Sequence, residues 1–164
     1  MSWLVFVLAT GAHPHGTTAQ QASVSIGLDE TVVHLRIVPS PDQAESVQAR
    51  LDGDGDGVVS EGELVAFAER ALAKTVLTVD GQVVPLGEPM VSMPTSLLEV
   101  RAVGRAPLDL DSSHRVELEV THAELGSSWF LQPYFQRDLV EAFGNRRLER
   151  SAEGHRVQIT LAPG

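Results

Sequence analysis

Apolar and polar residues alternate in several separate stretches of the chain, a pattern typical of strands with one buried face. Residues 23–28 and 33–37 alternate in this way, and residues 98–102, 116–120 and 157–161 do so later in the chain. Strands with one apolar face and turn-rich connections are characteristic of two sheets packed face to face. The pattern therefore predicts a mainly β fold, an antiparallel β-sandwich.

The spacing of apolar residues changes to the helical period between residues 41 and 74. The sequence Ser-Pro-Asp-Gln at 40–43 predicts a helix start, with a capping serine, a proline at the first helical position and a glutamine that closes a capping box. Ser60 and Glu63 form a second capping box ahead of another apolar stripe. We therefore expect a helix–loop–helix at about 41–74, inserted into one domain that spans residues 13–164.

The loop between the two predicted helices has the complete spacing of an EF-hand, a calcium-binding motif. Its residues read Asp-Gly-Asp-Gly-Asp-Gly-Val-Val-Ser-Glu-Gly-Glu from Asp52 to Glu63. Calcium prefers oxygen ligands, and a bidentate glutamate permits a coordination number above six, which magnesium disfavours. The predicted ligands are three aspartates, one main-chain carbonyl, one position that often ligates through water and the closing glutamate: Asp52, Asp54, Asp56, Val58, Ser60 and Glu63. The alternative is an acidic turn that holds no metal, but the capped flanking helices favour a calcium site.

The sequence contains no convincing second EF-hand. A faint echo begins at Asp109, but His114 stands where the glycine belongs and Val120 stands where the closing glutamate belongs. A lone calcium loop is therefore expected, with a partly structural role.

The amino terminus is apolar and is followed by small residues, which predicts an export signal. Trp3 to Ala9 are apolar, and Thr10-Gly11-Ala12 fits a cleavage site after Ala12. Residues 1–12 are therefore interpreted as a signal peptide, and the protein is expected to be periplasmic or extracellular. The alternative is a first strand of the domain, since no lysine or arginine precedes the apolar stretch.

Cleavage after Ala12 would make His13 the amino terminus of the mature chain. Its amine and ring nitrogen, with His15, form a candidate site for nickel, cobalt or copper, metals that accept nitrogen ligands. The alternative is a polar linker without metal. The other histidines show no metal-ligand spacing and are expected at the surface: His34, His114, His122 and His155.

Composition excludes several classes of function. The formal net charge is -10, so nucleic acid is not an expected partner. No apolar stretch reaches the roughly 20 residues of a membrane-spanning helix. Cysteine is absent, which removes thiol catalysis, and no serine, histidine and aspartate are spaced as a triad, so an enzyme is not expected. The aromatic residues around Pro133 fit either core packing or an exposed contact patch.

The order of these features resembles the extracytoplasmic domain of bacterial nickel/cobalt-type metal permeases. The matching pieces are His13-Pro14, the loop from Asp52 to Glu63, the segment Leu77-Thr78-Val79-Asp80-Gly81 and the segment 114–118. The resemblance implies an accessory to nickel/cobalt transport, with a membrane metal permease as partner. The chain has no membrane region, so we do not expect it to transport metal alone. The alternative is a calcium-stabilised extracytoplasmic interaction module with no transition-metal role.

Overall fold

The computed structural model describes residues 18–164, which form ten strands and three helices. The elements before residue 95 are β1 (Ala19–Ile26), β2 (Glu30–Val38), α1 (Ala44–Leu51), α2 (Glu61–Leu72), β3 (Thr75–Val79), β4 (Gln82–Val84) and β5 (Met90–Ser92). The later elements are β6 (Leu98–Arg105), β7 (His114–Val120), β8 (Phe130–Phe135), α3 (Arg137–Ala142), β9 (Asn145–Arg150) and β10 (Arg156–Ala162). The predicted mainly β class is confirmed. The predicted signal peptide, His13 and His15 lie outside the described residues.

The strands form two five-stranded sheets. The first sheet has the order β5-β6-β2-β1-β8 and the second has the order β4-β3-β7-β10-β9. Every pair is antiparallel except β1 with β8, which are parallel. The expectation of antiparallel pairing is therefore wrong at this pair. These two strands lie far apart in the chain, so no tight turn sets their relative direction.

The inner faces of both sheets contribute to one hydrophobic core. The alternation read from the sequence matches the burial, since Val24, Val33, Val100, Leu118 and Ile159 are all completely buried. Burying one such side chain stabilises the fold by about 1.5–3 kcal/mol. Burial of the apolar side chains on the strands therefore holds the two sheets together.

The hairpin between β3 and β4 is formed by the predicted turn Asp80-Gly81. Both residues have positive φ, 51° for Asp80 and 79° for Gly81. This geometry matches a two-residue type I′ turn, for which Asp-Gly is a preferred sequence.

Within residues 18–164, no helix is long and apolar enough to cross a membrane.

Helices α1 and α2 lie in the chain between β2 of the first sheet and β3 of the second. The predicted capping box of α2 is present, because Ser60 and Glu63 each accept a hydrogen bond from the other's main-chain N–H. The predicted start of α1 is wrong, since the helix begins at Ala44 and the Gln43 side chain makes no capping bond. The Gln43 N–H instead donates to the Ser40 carbonyl at 2.8 Å, which closes a turn ahead of the helix.

Two histidines that were expected at the surface are buried. His114 is 8% exposed and packs edge-on against Phe143, with ring centroids 5.8 Å apart. His122 is 4% exposed and packs edge-on against Phe67 of α2 at 5.1 Å. Both aromatic partners lie far away in the sequence, so local pattern gave no sign of this burial. His34 and His155 are partly exposed.

The aromatic residues around Pro133 divide between core and surface. Trp129 is buried, and Phe135 packs partly against the core. Phe130 and Tyr134 are 58% and 51% exposed on β8. The alternation along this strand therefore places two aromatic rings on the outer face of the first sheet.

Candidate metal centre

The acidic loop begins where α1 ends and closes where α2 begins. Asp52 directly follows the last residue of α1, and its N–H donates to the Gln48 carbonyl at 2.9 Å. Ser60 is the N-cap of α2, and Glu63 lies in the first turn of that helix. The loop is therefore held at one end by a helical hydrogen bond of α1 and at the other end by the capping box of α2.

Three carboxylates of the loop converge. Asp52, Asp54 and Glu63 each offer one oxygen, and these oxygens lie within 4.8 Å of one another. Two oxygens bound to one calcium ion at 2.3–2.6 Å lie at most about 5 Å apart. The spacing of these three side chains therefore fits a single calcium ion with oxygen ligands.

The turn inside the loop is built on the Asp52 carboxylate. Its Oδ1 accepts from the Gly55 N–H and its Oδ2 accepts from the Gly57 N–H, both at 2.7 Å. Gly57 has φ of +88°, a conformation that side-chain-bearing residues rarely adopt. Glycine at the sixth loop position thus allows the sharp turn that the EF-hand spacing requires. The Gln48 side chain of α1 holds the same turn by donating to the Gly57 carbonyl at 3.1 Å.

The remaining predicted ligands are not part of the convergent group. The Asp56 Oδ1 accepts from the Val58 N–H at 2.7 Å, and Asp56 is not among the three side chains whose oxygens converge. Ser60 donates its hydroxyl to Glu63 Oε2 at 2.9 Å. Of the six predicted ligands, the structure therefore brings together three carboxylates and engages Asp56 and Ser60 in hydrogen bonds within the loop.

Glu63 is surrounded by donors. Its Oε1 accepts from the N–H groups of Gly53 and Asp54, and its Oε2 accepts from the N–H and hydroxyl of Ser60. These bonds, led by the main-chain and side-chain bonds from Ser60, lower the pKa of Glu63 to about 2. The carboxylate is therefore ionised throughout the physiological pH range, as a calcium ligand must be.

The four bonds to Glu63 also limit how it can bind an ion. An ionised carboxylate has about four lone-pair sites, and all of them face donors here. Bidentate coordination would have to replace some of these hydrogen bonds with bonds to the metal. The loop is thus stabilised by its own N–H groups, while three of its carboxylates lie close enough together to share one metal ion.

The histidines do not gather into a metal-ligand cluster within residues 18–164, where the acidic trio is the one group of three or more such side chains. The ring of His122 has its Nε2 3.4 Å from Glu124 Oε2, while its buried Nδ1 has no hydrogen-bond partner among the described residues. Burial lowers the pKa of His122 and outweighs the opposing effect of Glu124. This ring is therefore neutral in the folded protein at neutral pH.

Glu124 makes contacts that its neighbours in the sequence do not predict. It receives hydrogen bonds from Arg50 of α1 and from Arg70 of α2. No local sequence signal identifies such a residue, because both arginines are more than fifty positions away.

The chain matches no protein-family model, and no curated protein is significantly similar to it.

Proposed function

We propose that this chain is a β-sandwich protein that binds one calcium ion in an EF-hand loop between α1 and α2. The observation that carries the proposal is the convergence of the Asp52, Asp54 and Glu63 oxygens within 4.8 Å. The loop spacing also supplies Asp56, the Val58 carbonyl and the Ser60 position as further oxygen donors.

Calcium serves a partly structural role in this proposal. Four ionised ligand carboxylates in one loop repel one another, and a divalent cation removes that repulsion. The folded loop binds the ion and the unfolded chain does not, so binding stabilises the fold. The gain is about 2.7 kcal/mol when free calcium exceeds Kd a hundredfold.

Isothermal titration of two ligand variants tests the calcium loop. Asp52→Ala and Glu63→Gln should each abolish calcium binding, because each removes a charged ligand from a site with no partner loop. Glu61→Gln is the matched control, since it makes the same charge change in the same loop at a position outside the ligand set. Calcium heats in Glu63→Gln that equal those of the parent protein would overturn the assignment.

We also propose that the protein is exported and assists nickel/cobalt transport at a membrane permease. The support is the resemblance to permease extracytoplasmic domains, together with the apolar start and the His13-Pro14-His15 sequence. After cleavage, the His13 amine and imidazole would chelate nickel, cobalt or copper. Calcium would not compete, because it prefers oxygen ligands.

Mass spectrometry and metal titration test the export and transition-metal proposals. Protein exported by a bacterial host should begin at His13 and should bind nickel or copper with an affinity that falls steeply on acidification, since the metal displaces protons. This second site should survive Glu63→Gln and should weaken when one residue is added before His13. Recovery of intact Met1 protein alone would refute export. Nickel and copper affinities that are unchanged by the added residue would refute the amino-terminal site.

A calcium-stabilised interaction module is the second candidate function. The observation in its favour is the pair of exposed aromatic rings, Phe130 and Tyr134, on the outer face of the first sheet. Aromatic residues are enriched in contact surfaces between proteins. A protein that begins at His13, binds calcium and shows no nickel, cobalt or copper binding would favour this function over metal transport.

A further inference from the structure

Glu124, which lies between β7 and β8, accepts hydrogen bonds from both helices that flank the acidic loop. In the β7–β8 connection, residues 121–129, the Glu124 carbonyl accepts from Arg50 Nη1 of α1 at 2.8 Å. The Glu124 carboxylate accepts from Arg70 Nη2 of α2 at 2.8 Å and from Arg70 Nε at 3.1 Å. The second contact is bidentate, the strong geometry for an arginine and a carboxylate.

An aromatic contact joins the same connection to α2. The buried ring of His122 packs edge-on against Phe67 of α2. A hydrogen bond also joins the two ends of the connection, because Trp129 Nε1–H donates to the His122 carbonyl at 2.7 Å. The β7–β8 connection therefore depends on α1 and α2 for both polar and apolar contacts.

These contacts lie close to the calcium loop along each helix. Arg50 lies in the last turn of α1, immediately before Leu51 and the first ligand, Asp52. Phe67 and Arg70 follow Glu63 by about one and two turns of α2, on the same side of the helix. A helix turn is stiff, so a change in the position of either end of the loop moves these side chains.

We propose that calcium in the loop fixes the β7–β8 connection, through the clamp that Arg50 and Arg70 form on Glu124. The inference rests on the proposed calcium site. An ion that binds Asp52 at the end of α1 and Glu63 at the start of α2 sets the angle between the two helices. That angle determines whether both guanidinium groups reach Glu124 together. Strand β8, which carries the exposed Phe130, begins immediately after this connection.

Hydrogen–deuterium exchange with mass spectrometry measures the effect of calcium on the connection directly. In the parent protein, calcium should slow amide exchange within residues 121–129 by at least about fivefold, the lower end of typical coupling between sites. In the double variant Arg50→Met/Arg70→Met, this slowing should disappear. Coupling is reciprocal, so the calcium affinity of the double variant, measured by titration, should be weaker than that of the parent protein by the same factor. Arg137→Met is the control, since Arg137 pairs with Glu141 of its own helix, α3.

Glu124→Gln provides a milder test if the double variant does not fold. It keeps the carbonyl that Arg50 contacts and removes the charge that Arg70 contacts, so it should reduce both the exchange response and the calcium affinity. Calcium heats in the parent protein without any slowing of exchange in 121–129 would overturn the clamp and leave the calcium site intact. An unaltered exchange response in Glu124→Gln would also overturn it. Absence of calcium heats would overturn both proposals.

Discussion

His114 lies between two hydrogen-bond acceptors. The structure therefore predicts that the charge state of this ring affects the stability of the fold. Its Nδ1 is 2.7 Å from Asp80 Oδ2, and its Nε2 is 2.8 Å from the Asp109 carbonyl oxygen. A protonated imidazole donates from both nitrogens, whereas a neutral one donates from one only. Neutral His114 would therefore turn a lone pair towards one of its two acceptors. Replacement by Gln should remove this charge-dependent contribution to stability.

The direction in which each pKa changes determines the pH range over which that group stabilises the fold. Burial alone would lower the pKa of His114, but the hydrogen bonds to Asp80 and Asp109 outweigh it and raise the pKa above 6.5. Burial would raise the pKa of Asp80, but the bonds from His114 and the Arg115 N–H outweigh it and lower the pKa below 3.8. His114 therefore stabilises the fold fully below pH 6.5 and loses this effect as pH rises through its folded pKa. Asp80 contributes above pH 3.8 and loses its effect as pH falls through its own folded pKa.

The size of the effect follows from the exposure of the partners. A hydrogen bond to a charged group contributes about 1.5–3 kcal/mol. The Asp80 side chain is 47% exposed, so solvent screening places the contribution of the pair at the lower end, about 1.5 kcal/mol at pH 5. Once the ring is neutral it keeps a single N–H and loses one of its two hydrogen bonds, which contributes about 0.5–1.5 kcal/mol. The destabilisation caused by His114→Gln should therefore shrink by roughly 0.5–1.5 kcal/mol between pH 5 and pH 9.

Urea denaturation of the parent protein and His114→Gln at both pH values measures this difference. Chelator in every sample removes any contribution from calcium. Packing lost against Phe143 is independent of pH and cancels in the comparison. The control is His155→Gln, because the partly exposed His155 ring has a single acceptor, Glu119, at 3.4 Å. A destabilisation by His114→Gln that is equal at pH 5 and pH 9 would show that folding does not raise the pKa of His114.

Two pairs of substitutions test local features of the structure. Gly57→Ala should destabilise the loop by about 1–2 kcal/mol, because φ is +88° there although no atom obstructs the added methyl group. Gly62→Ala meets no atom either and has ordinary helical φ, so it should stabilise by about 0.5–1 kcal/mol; equal effects of the two changes in urea denaturation would contradict the role given to φ. Trp129→Phe should cost about 1–3 kcal/mol, because it leaves the His122 carbonyl without its donor, while Phe130→Leu on the exposed face should change stability by less than about 0.5 kcal/mol. Similar midpoints for Trp129→Phe and the parent protein would show that this hydrogen bond does not contribute.

Features governed by neighbouring residues were predictable from the sequence. Alternation placed Val33 and Leu118 in the core, because successive side chains on a strand point to opposite faces. The Asp80-Gly81 turn and the Ser60–Glu63 capping box followed from rules that connect residues at most three positions apart. The convergence of carboxylates in the acidic loop belongs to the same group, because one short segment contains all of its members.

Features that depend on distant contacts were not predictable. The parallel pairing of β1 with β8 and the burial of His122 against Phe67 involve residues that lie far apart in the chain. His114 looked like a surface residue because it begins a strand next to polar residues. Its burial depends on Phe143, and its charge depends on Asp80. A single sequence carries no record of these pairings.

In the proposed calcium site, Glu63 would serve both helix formation and metal binding. The capping box uses Oε2 to start α2, whereas Oε1 accepts from Gly53 and Asp54 inside the loop. Replacing the bonds to Ser60 would disturb the first turn of α2, but replacing the bonds to Gly53 and Asp54 would disturb the loop alone. We therefore expect calcium to bind Oε1 of Glu63 before it binds Oε2. In that order the start of α2 would remain capped while the ion binds, as the proposed coupling through Arg70 to Glu124 requires.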